Sequence, residues 1–330
     1  MSVGDGASEL RPGSGDPLNA RAAIGGGGFG GIGSPRALIG RGLDEQGTRA
    51  VLDRCLDLDV TIIDTAHSYA AGESQRMIGR WLAEDQSRRP RVAIVDKVGV
   101  VDGPDGLVAD LSPGTVARCS AEGRTRLGVG SVDVVMTHGP DPHTPIRETL
   151  EAFAKLIEQG QARHWGLSNV DIDGLTAWLD EANSLGVLEP LLVENEFNLL
   201  ARGDESGVLP LCRKHHIGFL AFSPLAGGVL SGKYRRDEHP PAGSRLSLRP
   251  DAAASLTGEL HERLEILAAR AASFGVSPAG LALAWVMAQP GVRPIAGAST
   301  PAHLDAVAEA MAVSLTRDQA AQLAANLSLP

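Results

Sequence analysis

From about residue 44 the chain alternates short apolar, β-branched runs with longer stretches of helical spacing, and this alternation restricts the fold more than any other feature. The short runs are VTIID (60–64), RVAIVDK (91–97), VDVVMTH (132–138), RHWGLSN (163–169), PLLVEN (190–195), IGFLAFS (217–223) and VRPIAGAS (292–299). Between or beside them the spacing predicts helices over Asp44–Leu58, Ser74–Glu84, Pro113–Arg126, Pro145–Gln159, Ile172–Ser184, Glu205–His215, Pro278–Ala288 and Pro301–Ala312. Four of these begin with proline at the first turn, where its missing N–H costs nothing. Strands separated by helices pair in parallel, and near-continuous apolar strands are covered on both faces. With the glycine-rich AAIGGGGFGG (22–31) as the first strand, the count reaches eight. The expected fold class is therefore α/β, a single-domain (β/α)8 TIM barrel over residues 21–330. A doubly wound open sheet is the alternative. Residues 1–20, rich in Gly, Ser and Pro and without a charged-then-apolar leader pattern, read as a flexible N-terminal tail. A long loop after the seventh strand, about 229–257, breaks the rhythm and reads as a lid or a disordered segment.

Composition narrows the function. The chain is 43% hydrophobic, enough for a large core, and its formal net charge of −10 argues against nucleic acid or an anionic membrane as the main partner. No run of about 18 apolar residues offers a membrane span. The three cysteines, Cys55, Cys119 and Cys212, lie far apart, outside any metal-ligand or CxxC spacing. Buried thiols in a reducing, cytoplasmic setting are expected, with no metal. Oligomeric state is not legible.

Chemistry in such a barrel gathers where strands end. The second strand ends in Asp64 with Tyr69, one of two tyrosines in the chain, just beyond; the third ends in Lys97 and the fourth in His138. Taken singly, each reads more readily as a structural ion pair or a loop histidine than as a catalytic group. Together they form a proton-transfer set. A phenol titrates near pH 10, an ammonium beside it favours phenolate, and a carboxylate keeps the ammonium charged and placed. A histidine from the next strand can hydrogen-bond a substrate oxygen.

The motifs IIDTAHSYAAGES, VDKVG, VDVVMTHGPDP, HWGLSN and FSPLAGGVLSGKY, in that order over about residues 22–313, resemble the aldo-keto reductase superfamily. The resemblance implies that Asp64, Tyr69, Lys97 and His138 are a catalytic tetrad with Tyr69 as general acid/base, Lys97 and Asp64 as its tuning pair, and His138 orienting the carbonyl. It implies NADP(H), with NAD(H) as the alternative, as hydride carrier for a small-molecule carbonyl or alcohol substrate. It places Ser168, Asn169 and Glu194 at the nicotinamide amide and Phe222 on the ring. It places Ser223, Leu225, Gly228, Ser231 and Lys233 on the phosphates and His303 at the adenosine end; Arg245 and Gly297 are further cofactor-binding candidates. The basic loop residues Lys233, Arg235, Arg236, Arg245 and Arg249, against Asp237 and Glu238, suit a phosphate independently; a solvated charged loop is the plain alternative. The glycine run 22–31 lacks the GxGxxG context of a Rossmann site and reads either as a tight turn or as a close approach to ligand. The sequence departs from the family pattern at Glu194 (usually Gln), Ala70 (usually Gly), Gln75 (usually Glu), and His303, Ala306 and Val307, where adenosine contacts are usual. Two competing roles follow: an accessory, nucleotide-binding subunit of the kind seen in potassium-channel β subunits, and an NAD-preferring sugar dehydrogenase.

Overall fold

The structure is a computed structural model that describes residues 15–236, 238–241, 246–247 and 257–327. Eight parallel strands close into a barrel: β1 (Ala23–Gly25), β2 (Ile62–Ala66), β3 (Ala93–Val98), β6 (Val132–Thr137), β7 (Ala162–Ser168), β8 (Leu192–Glu196), β9 (Gly218–Phe222) and β10 (Val292–Ala296), with β10 pairing back to β1. The missing pair, β4 (Val100–Gly103) and β5 (Gly106–Ala109), is an antiparallel hairpin outside the barrel. The closed ring disposes of the open-sheet alternative.

Side chains on a strand alternate between its two faces. Residues Ala23, Ile62, Ala93, Val95, Val134, Met136, Leu192, Leu220 and Ile295 turn inward and fill the lumen as one apolar cluster. The same parity carries Asp64 above Ile62, Lys97 above Val95 and Glu194 above Leu192, toward the C-terminal mouth. The opposite parity packs outward. Val51, Trp81, Ile94, Val135, Phe153, Trp165, Phe197 and Trp285 belong to the layer between sheet and helices.

The helices are α1 (Glu45–Asp57), α2 (Glu73–Glu84), α3 (Pro113–Leu127), α4 (Ile146–Glu158), α5 (Ile172–Leu185), α6 (Val208–Lys214), α7 (Gly258–Phe274), α8 (Pro278–Met287), α9 (Asp305–Ala312) and α10 (Arg317–Leu327). Their starts follow local chemistry. Asp44, Asp171, Thr257 and Ser277 each accept a hydrogen bond from a first-turn backbone N–H. Gly128, Gly186 and Gly275 close α3, α5 and α7 in the left-handed conformation that a side chain disfavours. Helix α8 is buried along most of its length, packed against α7, α9 and β10, and Trp285 Nε1 donates to the Ala320 carbonyl of α10 at 3.0 Å.

Four expectations change. The first strand is only three residues long, and Gly26–Gly28 is a tight turn. The β4–β5 hairpin and helices α7 and α10 were not foreseen. The supposed tail over 1–20 ends earlier: Pro17–Asn19 forms a turn across the barrel floor, and Leu18, 1% exposed, joins the lumen cluster as its plug. Apolar Leu18 gains more by sealing the open barrel end than by remaining in water. Finally, most of 242–256 in the long loop lies outside the described residues, so a lid there has no structural account.

Candidate active site

The tetrad residues meet at the mouth. Lys97 Nζ, fully buried, lies 2.5 Å from Asp64 Oδ1 and 2.7 Å from Glu194 Oε1. Asp64 arrives from the neighbouring strand, whereas Glu194 reaches across the lumen from β8. Lys97 Nζ also sits 5.2 Å from the centroid of the Tyr69 ring. The His138 and Tyr69 rings meet edge to face, centroids 5.3 Å apart.

Tyr69 is aimed by an unusual turn. Ala70 and Ala71 both hold left-handed backbones, at φ 46° and 54°, before Gly72 opens α2. An L-residue pays about 1–2 kcal/mol for such a conformation. The glycine run explains itself here. A side chain on Gly26 would strike the Asp64 carbonyl oxygen at 2.9 Å and Ser74 Oγ at 2.7 Å, and one on Gly27 would come within 3.6 Å of the Tyr69 ring. The tight turn of the two readings of 22–31 forms, and it lies against the tyrosine.

Electrostatics refine the expected roles. Burial pushes the Tyr69 phenol above its ordinary value; Lys97 pulls it down by charge and by its hydrogen-bonding contact, and Asp64 and Glu194 push it up again. The net direction is opposite to the simple expectation of a lysine-acidified phenol, because burial, joined by the charges of Asp64 and Glu194, outweighs the lysine. The phenol therefore rests protonated, ready to donate. Burial, then the Lys97 charge, lowers His138 to about 3, so its imidazole is neutral. His138 Nδ1 lies 3.2 Å from Ser68 Oγ, which lies 2.8 Å from Ser34 Oγ. That chain fixes the ring and leaves Nε2 for another partner. Burial raises Asp64 well above the usual carboxylate range, with the Glu194 charge adding and Lys97 opposing.

The expected cofactor residues divide into two groups. Ser168 and Asn169 end β7 beside His138: Asn169 Nδ2 donates to the His138 carbonyl at 2.9 Å and to Ser168 Oγ at 3.0 Å. Phe222 faces inward above Leu220 and caps the lumen cluster. Beyond β9, Ser223, Ala226, Gly227 and Gly228 all adopt left-handed backbones, with Leu225 between them, and Ser231 Oγ donates to the Gly228 carbonyl at 2.6 Å. A side chain on Gly228 would meet Lys233 Nζ at 3.0 Å. Lys233 and His303 are both exposed, and the Lys233 charge, after burial, lowers His303. The loops after β9 and β10 thus face each other. Gly297 is exposed with open space around it. Arg245 and Arg249 lie outside the described residues. Glu194 Oε1 lies on Lys97, 2.7 Å from Nζ.

Several participants escaped the sequence reading. Ser68 and Ser34 gave no signal beyond lying in loops. Gln75 Nε2 donates to buried Asp96 at 2.7 Å, and Arg126 Nη1 donates to Gln75 Oε1 at 3.1 Å. Asp96 faces outward from β3, and burial pushes it up to about 7. The β4–β5 hairpin was legible in VVDGPDGLVA, a turn sequence between apolar pairs. Its Asp102 accepts two hydrogen bonds from Arg36, and Arg36, Asp102, Ser34, His67 and Ser68 line a small cavity of about 80 Å³ beside Tyr69. A larger cavity of about 870 Å³ opens on the outer wall near α6, α8 and α10 and shares no lining residue with the tetrad.

Comparison with known proteins agrees with this geometry. The profile of the Aldo/keto reductase family matches residues 23–327. The chain is 32% identical over 266 residues to a probable voltage-gated potassium channel subunit beta of Arabidopsis thaliana, covering 79% of this chain and 80% of that protein. It is 32% identical over 280 residues to a probable aldo-keto reductase 1 of Glycine max, covering 83% and 77%. Its structure is similar to that of a glycerol dehydrogenase from Gluconobacter oxydans, with a TM-score of 0.80 at 25% identity over 93% of this chain and 91% of that one. A closed barrel with these four side chains at its mouth, and a family match spanning nearly the whole of it, make this chain a member of the aldo/keto reductase family.

Proposed function

We propose that the protein is a nicotinamide-dependent oxidoreductase that interconverts an aldehyde or ketone and its alcohol, with Tyr69 as general acid/base. The observation that carries this is the buried Lys97 held under the Tyr69 ring by two carboxylates, with a neutral His138 at the ring edge. Structural ion pairs do not need a phenol and an imidazole turned to the same opening; proton transfer to an oxygen does. In reduction the Tyr69 O–H bond breaks as the new alcohol O–H forms, while His138, steadied by Ser68, hydrogen-bonds the same oxygen. Hydride must come from a bound nicotinamide, since no side chain supplies one. The residues suit such a group: Ser168 and Asn169 present amide-binding atoms beside the tetrad, Phe222 offers a ring face, and the left-handed turn over Ser223–Gly228 with Lys233 suits phosphate. NADP(H) is the proposed cofactor, with NAD(H) the alternative because His303, Ala306 and Val307 replace usual adenosine contacts. A cytoplasmic setting fits the three buried free thiols.

The likeness to a channel β subunit supports a second reading, an accessory protein that binds nucleotide with little turnover. The likeness to a glycerol dehydrogenase instead favours a small polar alcohol or sugar as substrate. Oxidation of NADPH and of NADH with 4-nitrobenzaldehyde, followed by absorbance alongside direct cofactor binding, separates them. Turnover is expected, faster with NADPH. Tight cofactor binding without turnover against any of a panel of aldehydes, ketones and polyols would overturn the enzymatic reading in favour of the accessory one.

A further inference from the structure

Two carboxylates and one ammonium share a site that water does not reach. Lys97, Asp64 and Glu194 have side chains 0%, 4% and 3% exposed. If both carboxylates were ionised, the cluster would carry a net buried negative charge, which costs several kcal/mol when nothing offsets it. Among the described residues, the elements around it offer nothing that does. Tyr69 from the turn after β2 is a protonated phenol, and His138 at the end of β6 is a neutral imidazole. From β7 and β9 the facing residues are Ser168, Leu220 and Phe222, and the turn after β1 is glycine; none titrates. Both carboxylates close on the same nitrogen, Asp64 Oδ1 at 2.5 Å and Glu194 Oε1 at 2.7 Å from Lys97 Nζ. Two carboxylates crowded on one buried ammonium repel each other when both are ionised, and a proton on one of them removes that repulsion. Among the described residues Glu194 Oε2, though buried, has no hydrogen-bond partner, so nothing there stabilises a second full negative charge.

We propose that Asp64 and Glu194 hold one proton between them, so that Lys97 faces a single net negative charge, and that Glu194 is through this a positioning residue that sets the acidity of Tyr69. The raised Asp64 titration agrees: burial and the Glu194 charge are its two largest causes. With the shared proton in place the cluster is neutral, as it would be with one carboxylate and one lysine. When rising pH removes it, the cluster becomes net negative and the phenol a weaker acid. Reduction then slows, although the phenol itself has not titrated. The assignment of the proton stands on the cluster alone; its effect on rate rests on the role proposed for Tyr69.

The test reads the proton directly, in the full chain without cofactor. Infrared difference spectra near pH 6 compare wild type with Glu194→Gln and Asp64→Asn, in protein carrying ¹³C-carboxyl glutamate or aspartate. The expected result is a carboxylic-acid carbonyl band in wild type that shifts on labelling and disappears in both single variants, since each leaves one carboxylate to ionise against Lys97. Asp96, unaltered in all three proteins, cancels in the difference. A wild-type minus Glu194→Gln spectrum with no carboxylic-acid band would overturn the proposal, and this arm holds even if Asp64→Asn does not fold. Activity supplies a separate readout. The alkaline limb of kcat for reduction is expected to shift or vanish in Glu194→Gln, and an unmoved limb beside a confirmed band would overturn the role assigned to Glu194. Absence of all turnover would contradict the enzymatic reading while leaving the spectral result standing.

Discussion

The two ends of this barrel use charge in opposite ways. At the floor, Asp133 accepts from Arg89 at 2.9 Å, from Arg163 at 3.0 Å and from the Ile94 amide at 2.8 Å. Arg163 continues to Asp16, and Arg293 donates to the Leu18 carbonyl at 2.9 Å, tying the plug to the strands. The arginines there keep partial contact with water, so their desolvation is modest. At the mouth, Lys97 and its carboxylates are wholly removed from water, and one carboxylate oxygen has no donor. Backbone strain divides the same way. Left-handed residues at the floor are Asp59 and His216, types that tolerate it; at the mouth they include Ala70, Ala71, Ser223 and Ala226. A stiff, well-paired floor and wall hold a mouth that local preference would not form. Strain and buried charge of this kind collect at functional sites.

The contrast can be broken most severely at Lys97. Replacing it in Lys97→Met strands the carboxylates it pairs, so turnover is expected to vanish and unfolding free energy to fall by about 3–5 kcal/mol, read by chemical denaturation. A stable, active Lys97→Met would erase the distinction between the ends. Asp133→Ala should cost about 2 kcal/mol by orphaning the buried Ile94 amide and releasing two arginines, with turnover unchanged; a loss of turnover matching that of Lys97→Met would mean the floor is coupled to the chemistry. The smallest effect is expected at Ala71→Gly. Relief of the left-handed backbone outweighs the extra chain entropy of glycine, so stability should rise by about 0.5–1 kcal/mol in thermal unfolding. A lowered melting temperature would show that the turn is not strained.

How far the sequence could be read follows the same division. The wall was legible because strand and helix periods repeat eight times and each repeat supports the others. Asp64, Lys97 and His138 were legible because each ends an apolar run, where a charge must find a partner. Glu194 ended such a run too, yet its link to Lys97 crosses the lumen between strands that are not neighbours, and a linear pattern carries no such distance. The plug was missed because a single Leu18 among Gly, Pro and Ser has no periodicity; only the open barrel end beneath it gives it a place. The direction of the Tyr69 shift was missed for a physical reason. Burial and a second carboxylate, neither visible in the motif, outweigh the lysine.

The central claim is that the Tyr69 hydroxyl carries the proton that accompanies hydride transfer. Single-turnover reduction of an aldehyde by saturating reduced cofactor in wild type and Tyr69→Phe tests it most directly. The account predicts a transfer step at least ~10²-fold slower in Tyr69→Phe, with cofactor affinity unaltered because the phenyl ring still fills its place over Gly27. A Tyr69→Phe protein that reduces substrate at close to the wild-type rate would contradict it.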